Sequence, residues 1–253
     1  MVNDTVVLTA PATEARDKVK FLAQNSVPSV STPINVVVLE RELSRHPDRI
    51  FVSNLINSLR YGTHVGYTGP HKPRVSRNLI SAIQHPDVVS GNLRKELGLG
   101  RVAGPFNSPP LPNLQCHPVG VVPKKHSSEW RTIYHLSYPE GDSINDHIPK
   151  DPYTLQYVRV DDAIHILQSL GPGSFMAKTD LKSAFGLIPI HPDDWHLLGI
   201  HWQDQYYVDL YLPFGLRSAP FLFNQFSDAL EWILQHNYGL RHVLHILDDF
   251  FHR

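Results

Sequence analysis

Three pairs of adjacent aspartates punctuate the chain: Asp161-Asp162, Asp193-Asp194 and Asp248-Asp249. The first falls at a helix start, where carboxylates suit the exposed N–H groups and the dipole. The second follows His191-Pro192 in a polar turn. The third is embedded in an apolar strand, Val243-Leu244-His245-Ile246-Leu247-Asp248-Asp249-Phe250-Phe251. Asp180 poses a similar problem at the end of Phe175-Met176-Ala177-Lys178-Thr179. If Asp180, Asp248 and Asp249 converge, a pair of unit charges at about 4 Å costs about 4 kcal/mol even at an effective dielectric near 20. Protonation or cations must relieve that repulsion. Magnesium takes oxygen ligands and keeps positions open for phosphate, so it is the natural remedy. The dipeptide alone favours a plain strand end entering a turn. The order of the motifs around it overturns that.

The elements that must hold these acids follow from periodicity and punctuation. Asp161 is expected to cap a helix with Ile164, Leu167 and Leu170 on one face, ended by Gly171-Pro172-Gly173. A short strand over 174–179 then leads to Asp180. Residues 199–202 and 206–212 read as a hairpin around Gln203-Asp204-Gln205. Ser218 with Pro220 starts a long helix to about His236, burying Phe223, Phe226, Leu230 and Ile233. Gly239 breaks it, and 243–247 is a buried strand running into Asp248-Asp249. Upstream, 119–122 and 130–136 pair as a hairpin that carries Lys124 and Lys125 at its turn.

Asn35 is expected to cap a helix over 36–45, ended by Pro47. Asp48 caps the next, with Phe51, Leu55 and Leu59 recurring at i+4 and Gly62 closing it. Residues 63–78 read as loop, 87–97 as helix, and the proline-rich stretch 104–112 as an extended linker. Three regions are therefore expected: a poorly ordered leader (1–35), a helical extension with its linker (36–115), and a catalytic region (116–253).

Composition bounds the class. The 253 residues are 42% hydrophobic, enough for a sizeable core, and the formal net charge is -1, without the basic excess of a bulk nucleic-acid binder. The lone cysteine, Cys116, allows no internal disulfide. With no signal peptide and no apolar run long enough to cross a bilayer, the chain is expected to be intracellular, cytoplasmic or nuclear, and not secreted. The sixteen histidines, His191, His196, His201, His242 and His245 among them, match no zinc spacing and read as surface or satisfied core groups.

Four blocks then occur in the order used by reverse transcriptases. Val121-Val122-Pro123-Lys124-Lys125 with Trp130-Arg131 resembles their fingers hairpin. Ala177-Lys178-Thr179-Asp180-Leu181-Lys182-Ser183-Ala184-Phe185 resembles the first catalytic motif. Leu212-Pro213-Phe214-Gly215-Leu216-Arg217-Ser218-Ala219-Pro220 is the most specific string, similar to the motif beneath the incoming nucleotide. Ile246-Leu247-Asp248-Asp249 resembles the second acid motif, with Ile246 where the family places an aromatic residue. Tyr134-His135-Leu136-Ser137-Tyr138-Pro139, Ser143-Ile144-Asn145-Asp146 and the run from Leu222 to Leu230 look like DIRS-like, tyrosine-recombinase-encoding retrotransposons.

The resemblance implies an α+β fold: the fingers and palm of a right-hand polymerase, with an antiparallel palm sheet backed by helices, stopping before the thumb and before the second strand of the acid hairpin. It implies template-directed DNA synthesis with two metal ions, magnesium or manganese, held by Asp180 and Asp248 with Asp249 in support. Lys124 and Arg131 would contact the nucleotide phosphates, and the Leu181 carbonyl would assist the metals. Phe185 would act as steric gate against a ribose 2′-hydroxyl. Phe214 would pack near the sugar, and Gly215 would allow close backbone approach. The implied partners are an RNA or DNA template with its primer and deoxynucleoside triphosphates, with no membrane. The isolated piece is expected to be inactive or weak. Rival readings are an RNA-dependent RNA polymerase, a two-metal nuclease, and a non-enzymatic, decayed or co-opted element fragment that folds or binds nucleic acid.

Overall fold

The computed structural model describes residues 30–125 and 129–252. The expected leader lies mostly outside these residues. Its last part is tied down: Thr32 Oγ1 donates to the Leu187 carbonyl (2.7 Å), and Tyr211 OH donates to the Ser31 carbonyl (2.7 Å).

Two capped helices follow. Asn35 accepts from Val38 N–H (3.1 Å) to open α1 (Val36–Glu42), and Asp48 accepts from Phe51 N–H (2.8 Å) to open α2 (Arg49–Tyr61). Both caps are those expected from the sequence. The buried stripe of α2 is Val52, Leu55, Ile56 and Leu59; Leu55 and Leu59 are those expected, and Phe51 is half-buried at its edge. That i, i+3, i+4, i+7 set forms one face of a 3.6-residue helix.

The stretch expected as loop contains β1 (Arg74–Val75). Two helices come next, α3 (Ile80–Gln84) and α4 (Pro86–Gly98), then β2 (Val102–Phe106) and β3 (Gln115–Cys116). The proline-rich linker thus begins inside a strand. Pro105 lacks a donor, but β2 is an edge strand and its register shifts between Ala103 and Phe106, where a proline is tolerated. The hairpin β4 (Val119–Pro123) and β5 (Trp130–Tyr134) pairs antiparallel, Val119 opposite Tyr134 and Pro123 opposite Trp130. Its turn, 126–128, lies outside the described residues.

Helix α5 (Val160–Leu170) starts one residue before the expected cap. Asp162, not Asp161, reaches back to the Arg159 N–H (2.7 Å). Then come β6 (Ala177–Asp180), the hairpin β7 (Gly199–Trp202) and β8 (Gln205–Asp209), the long helix α6 (Ala219–His236), and β9 (Val243–Ile246) with β10 (Asp249–His252). Gln203 and Asp204 both adopt positive φ in the β7–β8 turn, the geometry that matches strand twist in a two-residue hairpin. The second strand of the acid hairpin, expected to be missing, is β10. It lies between β6 and β9 in a three-stranded antiparallel sheet.

The larger sheet is mixed, in the order β1-β3-β7-β8-β2. It joins strands from both sides of the expected boundary at 115/116, and the main core does the same. Leu43, Leu59 and Val65 pack in one buried cluster with Ile188, Ile190 and Phe223. Along α6 the buried positions are Ala219, Phe223, Phe226, Ser227, Ala229 and Ile233, with Leu230 only half-buried. Among the described residues no helix is long and apolar enough to cross a membrane.

Candidate active site

Strand β6 ends on Asp180, and β10 begins on Asp249. The two residues are direct partners in the antiparallel pair, as are Asp249 and Ile246 across the acid hairpin. Asp248 and Leu247 therefore form a two-residue turn. Opposed residues in such a pair have Cα atoms about 4.5–5.5 Å apart and side chains on the same face. The backbones of all three acids meet at one corner of the smaller sheet.

That corner is fixed by its backbone. Ser227 Oγ on α6 donates to the Leu247 carbonyl (2.8 Å), and Leu181 N–H donates to the next carbonyl, that of Asp248 (2.9 Å). Leu247 takes φ +55, a left-handed conformation that a branched side chain seldom adopts unless its surroundings impose it. The Leu181 carbonyl accepts a long hydrogen bond from Ala184 N–H (3.3 Å).

The side chains are in different states. Asp180 is exposed, Asp248 is half-buried, and Asp249 faces Lys178 (Nζ–Oδ1 3.0 Å). Among the described residues no three His, Cys, Asp or Glu side chains close on one point as a metal centre would require. What fits a metal is the donor chemistry and the register. Carboxylate oxygens suit a hard divalent cation.

A cleft of about 760 Å³ opens between the β4–β5 hairpin, α4 and the loop after β8. Lys124, Arg131, Phe214 and Gly215 all line it. Lys124 is paired with Glu129, whereas Arg131 is exposed and makes no ion pair among the described residues. Phe214 is 72% exposed and presents its ring to the cleft. Phe185 lies behind it, 8% exposed, with ring centroids 4.9 Å from Phe214 and 5.6 Å from Phe223. The cleft thus gathers four of the expected nucleotide contacts. Phe185, Leu181 and the three acids are not among its lining residues.

Gly215 has φ +92, and a Cβ there would sit 3.2 Å from the Tyr134 carbonyl oxygen. Gly215→Ala is therefore expected to lower stability by about 1–2 kcal/mol through backbone strain, seen as a lower midpoint in thermal unfolding.

Sequence reading missed the acid on the cleft wall. Burial pushes the Asp209 carboxyl up to about 8; nearby Glu96 adds to the shift, and the Tyr211 and Leu210 N–H groups and Arg101 offset it in part. Its carboxyl therefore holds a proton to a much higher pH than an ordinary aspartate. The available signal was a charged residue just ahead of the Leu212–Pro220 string.

No protein-family model and no curated protein matches the chain. Solved structures do. The protease-reverse transcriptase of a foamy virus, in complex with double-stranded DNA, superposes with a TM-score of 0.56 at 18% identity, over 91% of this chain and 40% of that one. The native prototype foamy virus enzyme gives 0.52 at 21% identity, over 97% and 29%. A complex of the foamy viral enzyme with an RNA/DNA hybrid gives 0.53 at 18%, over 89% and 30%. The fold is similar to reverse-transcriptase fingers and palm. The chain spans well under half the length of these polymerases.

Proposed function

We propose that this chain contributes the fingers and palm to template-directed DNA synthesis by nucleotidyl transfer, in the polymerase of a DIRS-like retrotransposon. The observation that carries this reading is the pairing of Asp180 with Asp249 across β6 and β10, with Asp248 in the adjoining turn. Asp180 and Asp248 would hold two magnesium ions, or manganese, with Asp249 supporting them. When bound, such ions lower the barrier by neutralising charge on the entering and leaving oxygens.

The chain's own residues supply the rest. Arg131 and Lys124 face the triphosphate from the hairpin side of the cleft and stabilise charge that builds on its oxygens. Phe214 offers an apolar surface to the sugar and base. Phe185, braced against Phe214, fixes how far that ring can retreat, so the pair together would restrict room at the ribose 2′ position. The template–primer would be a nucleic-acid duplex gripped through its phosphates.

Primer extension on an RNA template tests this, run with the chain itself and with the longest protein its reading frame encodes. Magnesium-dependent addition of deoxynucleotides is expected from the longer form; its complete absence there refutes the proposal. In the form that extends primers, Arg131→Ala should raise the KM for deoxynucleoside triphosphate about ten- to a hundred-fold with a smaller change in kcat, because a charge-assisted phosphate contact is worth about 1.5–3 kcal/mol. An unchanged KM would remove Arg131 from the site.

A further inference from the structure

The loop 212–217 enters the cleft with no regular secondary structure, and it is held from both flanks. Leu212 N–H donates to the Ile188 carbonyl (3.0 Å), and Ser218 Oγ donates to the Val65 carbonyl (2.8 Å). The middle of the loop hangs on one side chain. Asn145, only 6% exposed, donates through Nδ2 to the Gly215 carbonyl (2.8 Å) and to Ser137 Oγ (2.9 Å). Its Oδ1 accepts from Arg217 N–H (2.7 Å). The backbone of Asn145 is itself anchored, its N–H donating to the Leu136 carbonyl (3.1 Å). From the loop side, the Arg217 guanidinium returns a bond to the Ile148 carbonyl (2.8 Å).

An asparagine amide carries two donors and an acceptor on one planar group. Here both donors and the acceptor are engaged, and two of the three bonds go to backbone groups on either side of Leu216. A buried, fully satisfied amide fixes the position of what it holds, since any shift leaves polar groups unpaired at about 1–3 kcal/mol each. The held carbonyl belongs to Gly215, whose positive φ sets the turn that aims Phe214 into the cleft.

We propose that Asn145 is a positioning residue of the cleft. It fixes the 213–217 loop so that Phe214 and Gly215 are presented to a nucleoside triphosphate. The nucleotide half of this statement rests on the polymerase reading; the loop half does not.

Two measurements on the full 253-residue chain decide it: residue-resolved amide hydrogen exchange, and calorimetric titration with a deoxynucleoside triphosphate and magnesium. In Asn145→Ala, exchange at the Arg217 amide should rise at least about ten-fold while amides in the body of α6 keep their rates. Nucleotide affinity should fall about five- to ten-fold. Asn145→Asp keeps the acceptor for Arg217 but sets an oxygen against the Gly215 carbonyl. It should restore part of the Arg217 protection without restoring affinity. Ser137→Ala removes only the bond remote from the loop and should change either quantity by less than about two-fold.

Unchanged Arg217 exchange in Asn145→Ala overturns the proposal, as does a rise shared by α6 and both sheets, which is simple loss of stability. A loosened loop with undiminished nucleotide affinity overturns the nucleotide half. If the parent chain binds no nucleotide, the nucleotide half of the proposal falls and the exchange result still judges the brace.

Discussion

Asp248→Asn is expected to abolish magnesium-dependent primer extension, by at least about a thousand-fold, while leaving the fold intact. The two effects separate because the residue plays two parts through different atoms. Its main-chain carbonyl receives the Leu181 N–H at 2.9 Å and ties the acid hairpin to the end of β6. Its side chain makes no hydrogen bond or ion pair among the described residues. Asparagine keeps the shape and the carbonyl and removes only the negative charge that would hold a cation. Asp180→Asn should behave alike. Asp249→Asn should be milder, since that carboxylate is already turned to Lys178 at 3.0 Å. The check is a primer-extension rate beside a thermal midpoint for each variant. Loss of activity accompanied by an equal loss of stability in all three would mean that the acids are structural.

The second large effect lies beneath the acid hairpin. His245 on β9 sits between two acids of α6, Nε2 at 3.3 Å from Asp228 and Nδ1 at 2.6 Å from Glu231, with its side chain 8% exposed. Burial works against its charge, but the hydrogen bonds to Asp228 and Glu231 outweigh that and hold the imidazole up at about 9. The unfolded value is near 6.5, so the folded state binds the proton more tightly. The sign follows by linkage: the contribution to stability is complete below pH about 6.5 and is lost as pH rises through about 9. His245→Gln, which cannot carry the charge, should cost about 1–3 kcal/mol at neutral pH, after discounting for the solvent that reaches both acids. Its deficit against the parent should shrink toward pH 9 and above. Denaturant unfolding at pH 6, 7.5 and 9.5 reads this directly, and a deficit that does not vary with pH would show that the imidazole is not protonated in the fold. Since β9 leads into Leu247-Asp248, loosening this ion cluster should also loosen the acids.

Much of the local structure was legible from sequence because its causes are local. Asn35 and Asp48 are good caps wherever they precede a helical stripe, and Gly62 closes α2 in a positive-φ conformation. The antiparallel hairpins were readable from alternation and turn residues. What escaped depended on distant partners. β1 and β3 are two residues long, too short for any period to register, and exist because β3 lies beside β7. β2 runs through Gly104-Pro105, a pair that reads as a breaker, and survives at a sheet edge with a shifted register. β10 was missed because Phe250-Phe251-His252 is brief, and its strand character comes from being flanked by both β6 and β9.

The candidate site divides in the same way. Asp180, Asp248 and Asp249 stood out because acids in apolar strands are costly; β6 is instead exposed along its length, and it is the register that brings the three backbones together. Lys124, Arg131, Phe214 and Gly215 share a cleft that no spacing rule could reveal. Asp209 and Asn145 are ordinary residues in sequence. Their importance comes from burial and from the partners that folding supplies.

The central claim, that 180, 248 and 249 together hold divalent cations, is tested most directly with manganese as a paramagnetic probe. Low concentrations added to isotope-labelled protein in the presence of a deoxynucleoside triphosphate should broaden the amide resonances of 180–182 and 247–250 before all others. That selective broadening should vanish in Asp180→Asn. Broadening centred elsewhere, or equal in parent and variant, would contradict the account.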